Sequence, residues 1–145
     1  MYDLVSPQED HIQHIASRLR AWDRLEALAQ GFSWTPVDGI EFSVSTAEIA
    51  ETVLLGEEPV GVWGVCGSGC VWMVGTPRLG SHPKSFMEKS WECVERALEV
   101  SPTLWNYVHQ NNSVSRRWLR RIGARFSPDV VDINGHPFKY FEIER

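Results

Sequence analysis

Four groupings in this sequence hold residue types that could do chemistry at a useful spacing. The first is the stretch 76–83, Thr-Pro-Arg-Leu-Gly-Ser-His-Pro, which follows the apolar run Val71, Trp72, Met73, Val74, Gly75. A glycine such as Gly80 lets backbone N–H groups approach a phosphate, and a helix start behind it adds its positive end. Arg78 or His82 could also meet phosphate with a side chain; the plainer alternative is a tight connection between strand and helix. The second grouping is Tyr107 and His109, near the end of an apolar run over 103–109. Either could donate or accept a proton if it faces a pocket, and either could equally be a packing or surface residue.

The third grouping is basic. Arg116, Arg117, Arg120, Arg121 and Arg125 fall within ten residues of a chain whose formal net charge is −5, so an otherwise acidic body carries one basic ridge. Such a ridge can be a solvated helix face whose stems cover apolar neighbours, or a grip for an acidic partner or nucleic acid with steep salt dependence. The acidic balance makes nucleic acid the weaker partner. The fourth grouping is made of metal-type ligands. Cys66 and Cys70 flank Gly67-Ser68-Gly69, and His11 and His14 stand at i, i+3 on one helix. A structural metal takes about four ligands, and neither pair has a second pair beside it, so no metal is expected.

Local patterns supply the elements that must position these groups. Residues 2–5 read as a strand. Ser6-Pro7-Gln8-Glu9 then reads as a helix start with Ser6 as N-cap, Pro7 at the first helical position and Glu9 completing a capping box. Ile12, Ile15, Ala16, Leu19, Trp22, Leu25 and Leu28 keep helical spacing as far as Gly31, with a break near 20–23, so two short helices or one bent one are expected. Residues 32–45 carry the turn signals Trp34-Thr35-Pro36 and Asp38-Gly39, consistent with a loop or short helix at a substrate entrance.

Residues 51–55, 60–66 and 70–75 predict three strands in an antiparallel meander, turning at 56–59 and 67–69, with Trp63 and Trp72 packing across the sheet. Phe86, Trp91, Val94 and Leu98 mark an amphipathic helix after Pro83. The run 103–126 then reads as strand, Asn-Asn-Ser hinge, helix, glycine stop and further strand. A hairpin turning at Asn134-Gly135 closes the chain. The order is β-αα-βββ-α-β-α-ββ.

The 145 residues suit one domain spanning 1–145, with 43% hydrophobic and 23% charged residues as in ordinary water-soluble proteins. No apolar run approaches the ~18 residues of a membrane span. The first residues lack the basic start and apolar core of a signal peptide, and three cysteines make an odd count, so a cytoplasmic location with reduced thiols is expected. Seven tryptophans raise the expectation of an aromatic-rimmed pocket or partner surface.

That element order, with a strand ending in Gly75-Thr76 before a loop and helix and a later strand leading through Asn112 to a helix closing at Gly123, resembles the GNAT acyltransferase superfamily. The family's pattern N-x-x-A-x-x-x-Y-x-x-x-G-F falls on Asn112, Ser115, Leu119, Gly123 and Ala124, matching at the asparagine and the glycine. More narrowly, Leu104-Trp105-Asn106-Tyr107-Val108, Asn112-Ser113, Arg117-Trp118-Leu119 and Ile122-Gly123 look like a group of small bacteriophage GNAT-like proteins, among them those labelled internal virion protein A. The resemblance implies an α+β GNAT-like fold with a mixed central sheet of about seven strands.

The resemblance further implies an acyl-coenzyme A cleft. Val74, Gly75, Thr76, Gly80, Ser81 and His82 would bind acetyl-CoA or CoA there, Asn112 would orient its pantetheine arm, and Arg116, Arg117, Arg120 and Arg121 could contact its phosphates. The family's acid position holds Leu119, which has no proton to give, its base strand holds no carboxylate, and its phosphate loop carries His82 where glycine or alanine is usual. Tyr107 and His109 are the substitute catalytic candidates. Two readings follow: a phage acetyltransferase-fold protein with an acyl-CoA cleft, and a non-catalytic binding module in virion assembly or on a host enzyme, located in the host cytoplasm or with the virion.

Overall fold

The computed structural model of the chain describes residues 1–31 and 35–145. Four strands rich in β-branched and aromatic residues, β1 (Tyr2–Val5), β2 (Ile49–Leu55), β3 (Glu58–Val65) and β4 (Val71–Gly75), form an antiparallel sheet in that order. Their turns fall on glycines with positive φ, Gly56 at +65° and Gly69 at +91°. A second antiparallel sheet comprises β5 (Thr103–His109), β6 (Arg125–Phe126), β7 (Val131–Ile133) and β8 (His136–Glu144), with β8 pairing to the other three. The expected seven-stranded sheet is thus eight strands in two halves, because Arg125 and Phe126 form an extra short strand against Glu142 and Phe141.

The halves meet at a single parallel bridge between Cys70 and Trp105. Gly69 makes the approach possible, since a Cβ there would run into the Thr103 carbonyl oxygen. No ladder pair joins β4 to β5 beyond that bridge, so the two strands leave a gap between them.

Five helices flank the sheets among the described residues: α1 (Glu9–Ala16), α2 (Ala21–Ala29), α3 (Pro36–Thr46), α4 (Pro83–Val100) and α5 (Ser113–Arg121). α1 starts later than its sequence suggests. Its N-cap is Gln8, not Ser6, and the Gln8 N–H donates to His11 Nδ1 at 3.2 Å. α3 is a full helix of 11 residues, because Thr35 accepts the Asp38 N–H and Pro36 sits at its first position. The turn signal expected at Trp34 lies outside the described residues.

The larger core packs α4 and α5 (Cys93, Ala97, Leu119 and Ile122) on one face of the sheets against Trp63, Leu104 and Phe141. The smaller core packs α1 and α3 (Ile12, Ile15, Ala16 and Ile40) on the opposite face against Val62. Each fully buried Leu, Ile or Val is worth roughly 1.5–3 kcal/mol, so these two clusters fix the layers. Trp63 and Trp72 do not pack together as expected. Trp63 lies opposite Met73 and Trp72 opposite Gly64, and a one-residue offset puts them on opposite faces.

Candidate functional site: the gap between β4 and β5

A cavity of about 550 Å³ occupies the gap, with α2 and α3 on one side and α4 and α5 on the other. Strand alternation decides which backbone groups face it. The Thr76 N–H points away, to the Val60 carbonyl at 2.9 Å, whereas Gly75 turns its backbone toward α2. There the Gly75 N–H donates to Asp23 Oδ2 at 2.9 Å and the Gly75 carbonyl accepts the Arg20 N–H at 2.9 Å. Arg20 closes the arrangement by donating to both oxygens of Asp23, at 2.8 and 3.0 Å. At the other end of β4, the Val71 carbonyl accepts from Asn106 Nδ2 at 2.7 Å while Asn106 Oδ1 accepts the Tyr107 N–H at 2.7 Å.

β5 is met from α2 in the same way. Glu26, three residues after Asp23, accepts the backbone N–H of His109 and, at 2.8 Å on Oε1, a donation from Asn112 Nδ2. α2 therefore holds the gap with two carboxylates, Asp23 toward β4 and Glu26 toward β5. Burial pushes the Glu26 carboxyl up to about 7; the Asn112 hydrogen bond counters this, and the Asp23 charge adds to it. Asn112 itself is buried and also caps α5 by accepting the Ser115 N–H at 3.2 Å. It is tied to protein on both sides.

His109 is buried, 4% exposed. Its ring packs on Trp22 at 4.9 Å and Phe138 at 5.4 Å, and Nδ1 accepts the Asn111 N–H at 3.1 Å. Burial, and then the neighbouring His136, lower its pKa. Tyr107 lines the cavity and meets Tyr140 edge-on at 5.3 Å. His109 and Tyr107 are thus at the gap, His109 as a packed ring and Tyr107 as part of its wall.

The 76–82 loop is closed on itself. Thr76 Oγ1 accepts the Arg78 N–H, the Thr76 carbonyl accepts the Leu79 N–H, the Arg78 carbonyl accepts the Ser81 N–H, and the Tyr2 hydroxyl accepts the His82 N–H at 3.2 Å. The same Tyr2 hydroxyl donates to the Leu79 carbonyl at 2.7 Å. Leu79 is fully buried beside Gly61 and Gly75, where an added Cβ would lie only 2.9 and 2.6 Å from its methyl carbons. With the Arg78, Leu79, Ser81 and His82 amides taken, Gly80 and the first turn of α4 remain to meet an anion, and Pro83 at that turn has no N–H. The residues present do not make the phosphate cradle that the family's loop pattern implies.

At the family's acid position Leu119 is buried in the larger core. Burial, then the neighbouring Cys66, push the Cys70 thiol up to about 11, which keeps it protonated at neutral pH. Among the described residues no three of His, Cys, Asp and Glu gather as a metal site, and no helix is long and apolar enough to cross a membrane. The arginine ridge lies on α5, away from these hydrogen bonds: Arg116 donates to the Gln110 carbonyl at 2.9 Å, and the Arg116 and Arg120 guanidinium groups stand over Phe126.

Sequence reasoning missed Asp23 and Glu26. Their only local signal is a pair of carboxylates at i, i+3 beside an apolar stripe, a pattern shared with any solvated helix face.

No protein-family model matches the sequence. The chain is similar to "Probable scaffold protein gp13" of Escherichia phage T7, 35% identical over 97 residues, 64% of this chain and 70% of that protein. Solved structures of similar shape are acetyltransferases: one from Bacillus subtilis in complex with CoA (TM-score 0.65, 11% identity, 99% of this chain and 97% of that one), and a GNAT-family enzyme from Bacillus anthracis (0.70, 12%, 99% and 94%). A third is the ribosomal-protein-S18-alanine N-acetyltransferase of Escherichia coli (0.68, 10%, 99% and 94%). With its two half-sheets joined at one bridge and its layers of helices on both faces, the chain has the GNAT acetyltransferase fold and belongs to the family of the phage T7 gp13 protein.

Proposed function

We propose that this protein is a non-catalytic GNAT-fold component of phage particle assembly that works through contacts with virion proteins. The observation that carries the reading is the gap itself. The Gly75 and His109 amides at its edge are bound by Asp23 and Glu26 of the same chain, and the Arg78, Leu79, Ser81 and His82 amides are taken by the loop and by Tyr2, which leaves Gly80 in that stretch. A ligand arm would have to displace these bonds, and each buried partner left unmatched costs about 1–3 kcal/mol. The scaffold description of the 35% identical relative points the same way.

Complementation tests it. Gly39 lines the cavity and has open space where a Cβ would go, so Gly39→Trp adds bulk to the wall without a backbone clash. A phage lacking the gene is expected to be rescued equally by the wild-type chain and by Gly39→Trp. Rescue by the wild type alone, together with measurable heat on titrating CoA into the purified protein, overturns the reading.

One observation favours a second reading, an acyl-CoA cleft with residual acyl transfer. The cavity holds a carboxyl, Glu26, whose pKa near 7 suits a general base. In this reading Val74, Gly75, Thr76, Gly80, Ser81, His82 and Asn112 are the cofactor-facing residues, with Tyr107 or His109 beside the reacting groups. It requires α2 to release Gly75 and His109. Acetyl-CoA turnover that vanishes in Glu26→Gln would establish it.

A further inference from the structure

α4 and α5 lie side by side on one face of the sheets, joined by the Trp118 Nε1 to Ser90 Oγ hydrogen bond of 3.0 Å and by Phe86 stacked on Trp118 at 5.6 Å. Their outward faces carry opposite charge. On α4, Glu88, Glu92, Glu95 and Glu99 recur at steps of four, three and four residues and are all exposed, a single stripe about 16 Å long at ~1.5 Å per residue. On α5, Arg117, Arg120 and Arg121 are exposed.

Among the described residues these three arginines and Glu88, Glu95 and Glu99 form no salt bridge, and Glu92 pairs only with Lys89 of its own helix at 3.0 Å. Between the stripes stands Trp91. It is 50% exposed, yet its Nε1 donates to the Arg121 carbonyl at 3.3 Å, which links the two helices at the seam. An indole already held in place loses little freedom when it is covered, and a rigid aromatic is the usual centre of an interface.

We propose that this α4/α5 surface binds the same surface of a second copy of the chain about a two-fold axis. A negative stripe beside a positive one becomes self-complementary when rotated: the glutamates of each α4 face the arginines of the other α5, and the two Trp91 rings meet near the axis. Nucleic acid or an acidic protein would match the arginines but be repelled by the adjoining glutamates. A second copy satisfies both stripes. The proposal extends the assembly reading by naming one partner, and its test uses neither virion nor cofactor, so each can fail alone.

The test is sedimentation velocity of the full chain at low salt. Wild type is expected to be dimeric and to weaken at least about tenfold in ~1 M salt, where the screening length falls to about 3 Å. The double variants Arg117→Glu/Arg121→Glu and Glu88→Arg/Glu95→Arg are each expected to be monomeric, with unchanged circular dichroism and melting. Mixed one to one, they are expected to form a dimer, because in the mixture both opposed stripe pairs regain opposite charge. A monomeric wild type, a dimer indifferent to either reversal, or a mixture that stays monomeric overturns the proposal. So does a monomeric wild type that instead shifts duplex DNA or a polyglutamate peptide.

Discussion

The gap between β4 and β5 and the outer surface of α4 and α5 are both rich in polar groups, and they treat them oppositely. In the gap each named donor meets an acceptor of the same chain: Gly75 meets Asp23, His109 and Asn112 meet Glu26, and Asn106 spans from Val71 to Tyr107. On the outer surface Glu88, Glu95, Glu99, Arg117, Arg120 and Arg121 have no ion-pair partner among the described residues. Buried polar groups must be matched internally at a cost of kilocalories, whereas exposed charges are matched by water at almost none and remain free for a partner. The contrast ties the gap's polar groups to stability and is the basis on which recognition is proposed for the helices.

The comparison can be broken most severely at its hinge. Gly69→Ala forces a side chain into positive φ and onto the Thr103 carbonyl, and is expected to cost about 4 kcal/mol, read as the loss of denaturant midpoint. Next comes Asp23→Ala, which leaves the Gly75 amide and the Arg20 guanidinium without their acceptor. A loss of about 3 kcal/mol is expected in urea unfolding, and a loss below about 0.5 would mean that α2 does not hold β4.

Glu26→Gln sharpens the comparison through pH. Folded Glu26 keeps its proton up to about pH 7, against about 4.5 for a glutamate free in water. The folded state therefore binds the extra proton, and its stability falls as pH rises from about 4.5 to about 7. The variant is expected to lack this slope, matching wild type at pH 4 and exceeding it by about 2–3 kcal/mol at pH 8 in paired thermal melts. The smallest effect belongs to the outer surface: Arg117→Ala/Arg121→Ala is expected to change monomer stability by no more than about 0.5 kcal/mol.

Much of the fold was legible because it rests on local pattern. A break between α1 and α2 (expected near 20–23 and found at 17–20), the glycine turns at 56 and 69, the Asn134-Gly135 hairpin and the α5 stop at Gly123 all follow from residues within a turn or two of each other. Where reading failed, the deciding contact was distant. Ser6 lost the N-cap of α1 to Gln8, whose N–H is met by His11, a ring also within 3.0 Å of Thr52 Oγ1. Trp63 and Trp72 were parted by strand register, which a single residue sets.

The sequence by itself determined most of the order of strands and helices, with α3 left open and β6 unforeseen in that order, together with the asparagine and glycine that frame α5 and the acidic body with its basic ridge. All are carried by residue type and short-range periodicity. Only the tertiary structure decided that Asp23 would reach Gly75, 52 positions away, that Asn112 would turn to Glu26, 86 positions away, and that the glutamates of α4 would lie beside the arginines of α5. Periodicity shows which residues share a face. Which groups meet across a gap depends on where the packed cores place each helix, and that placement is a property of the whole chain.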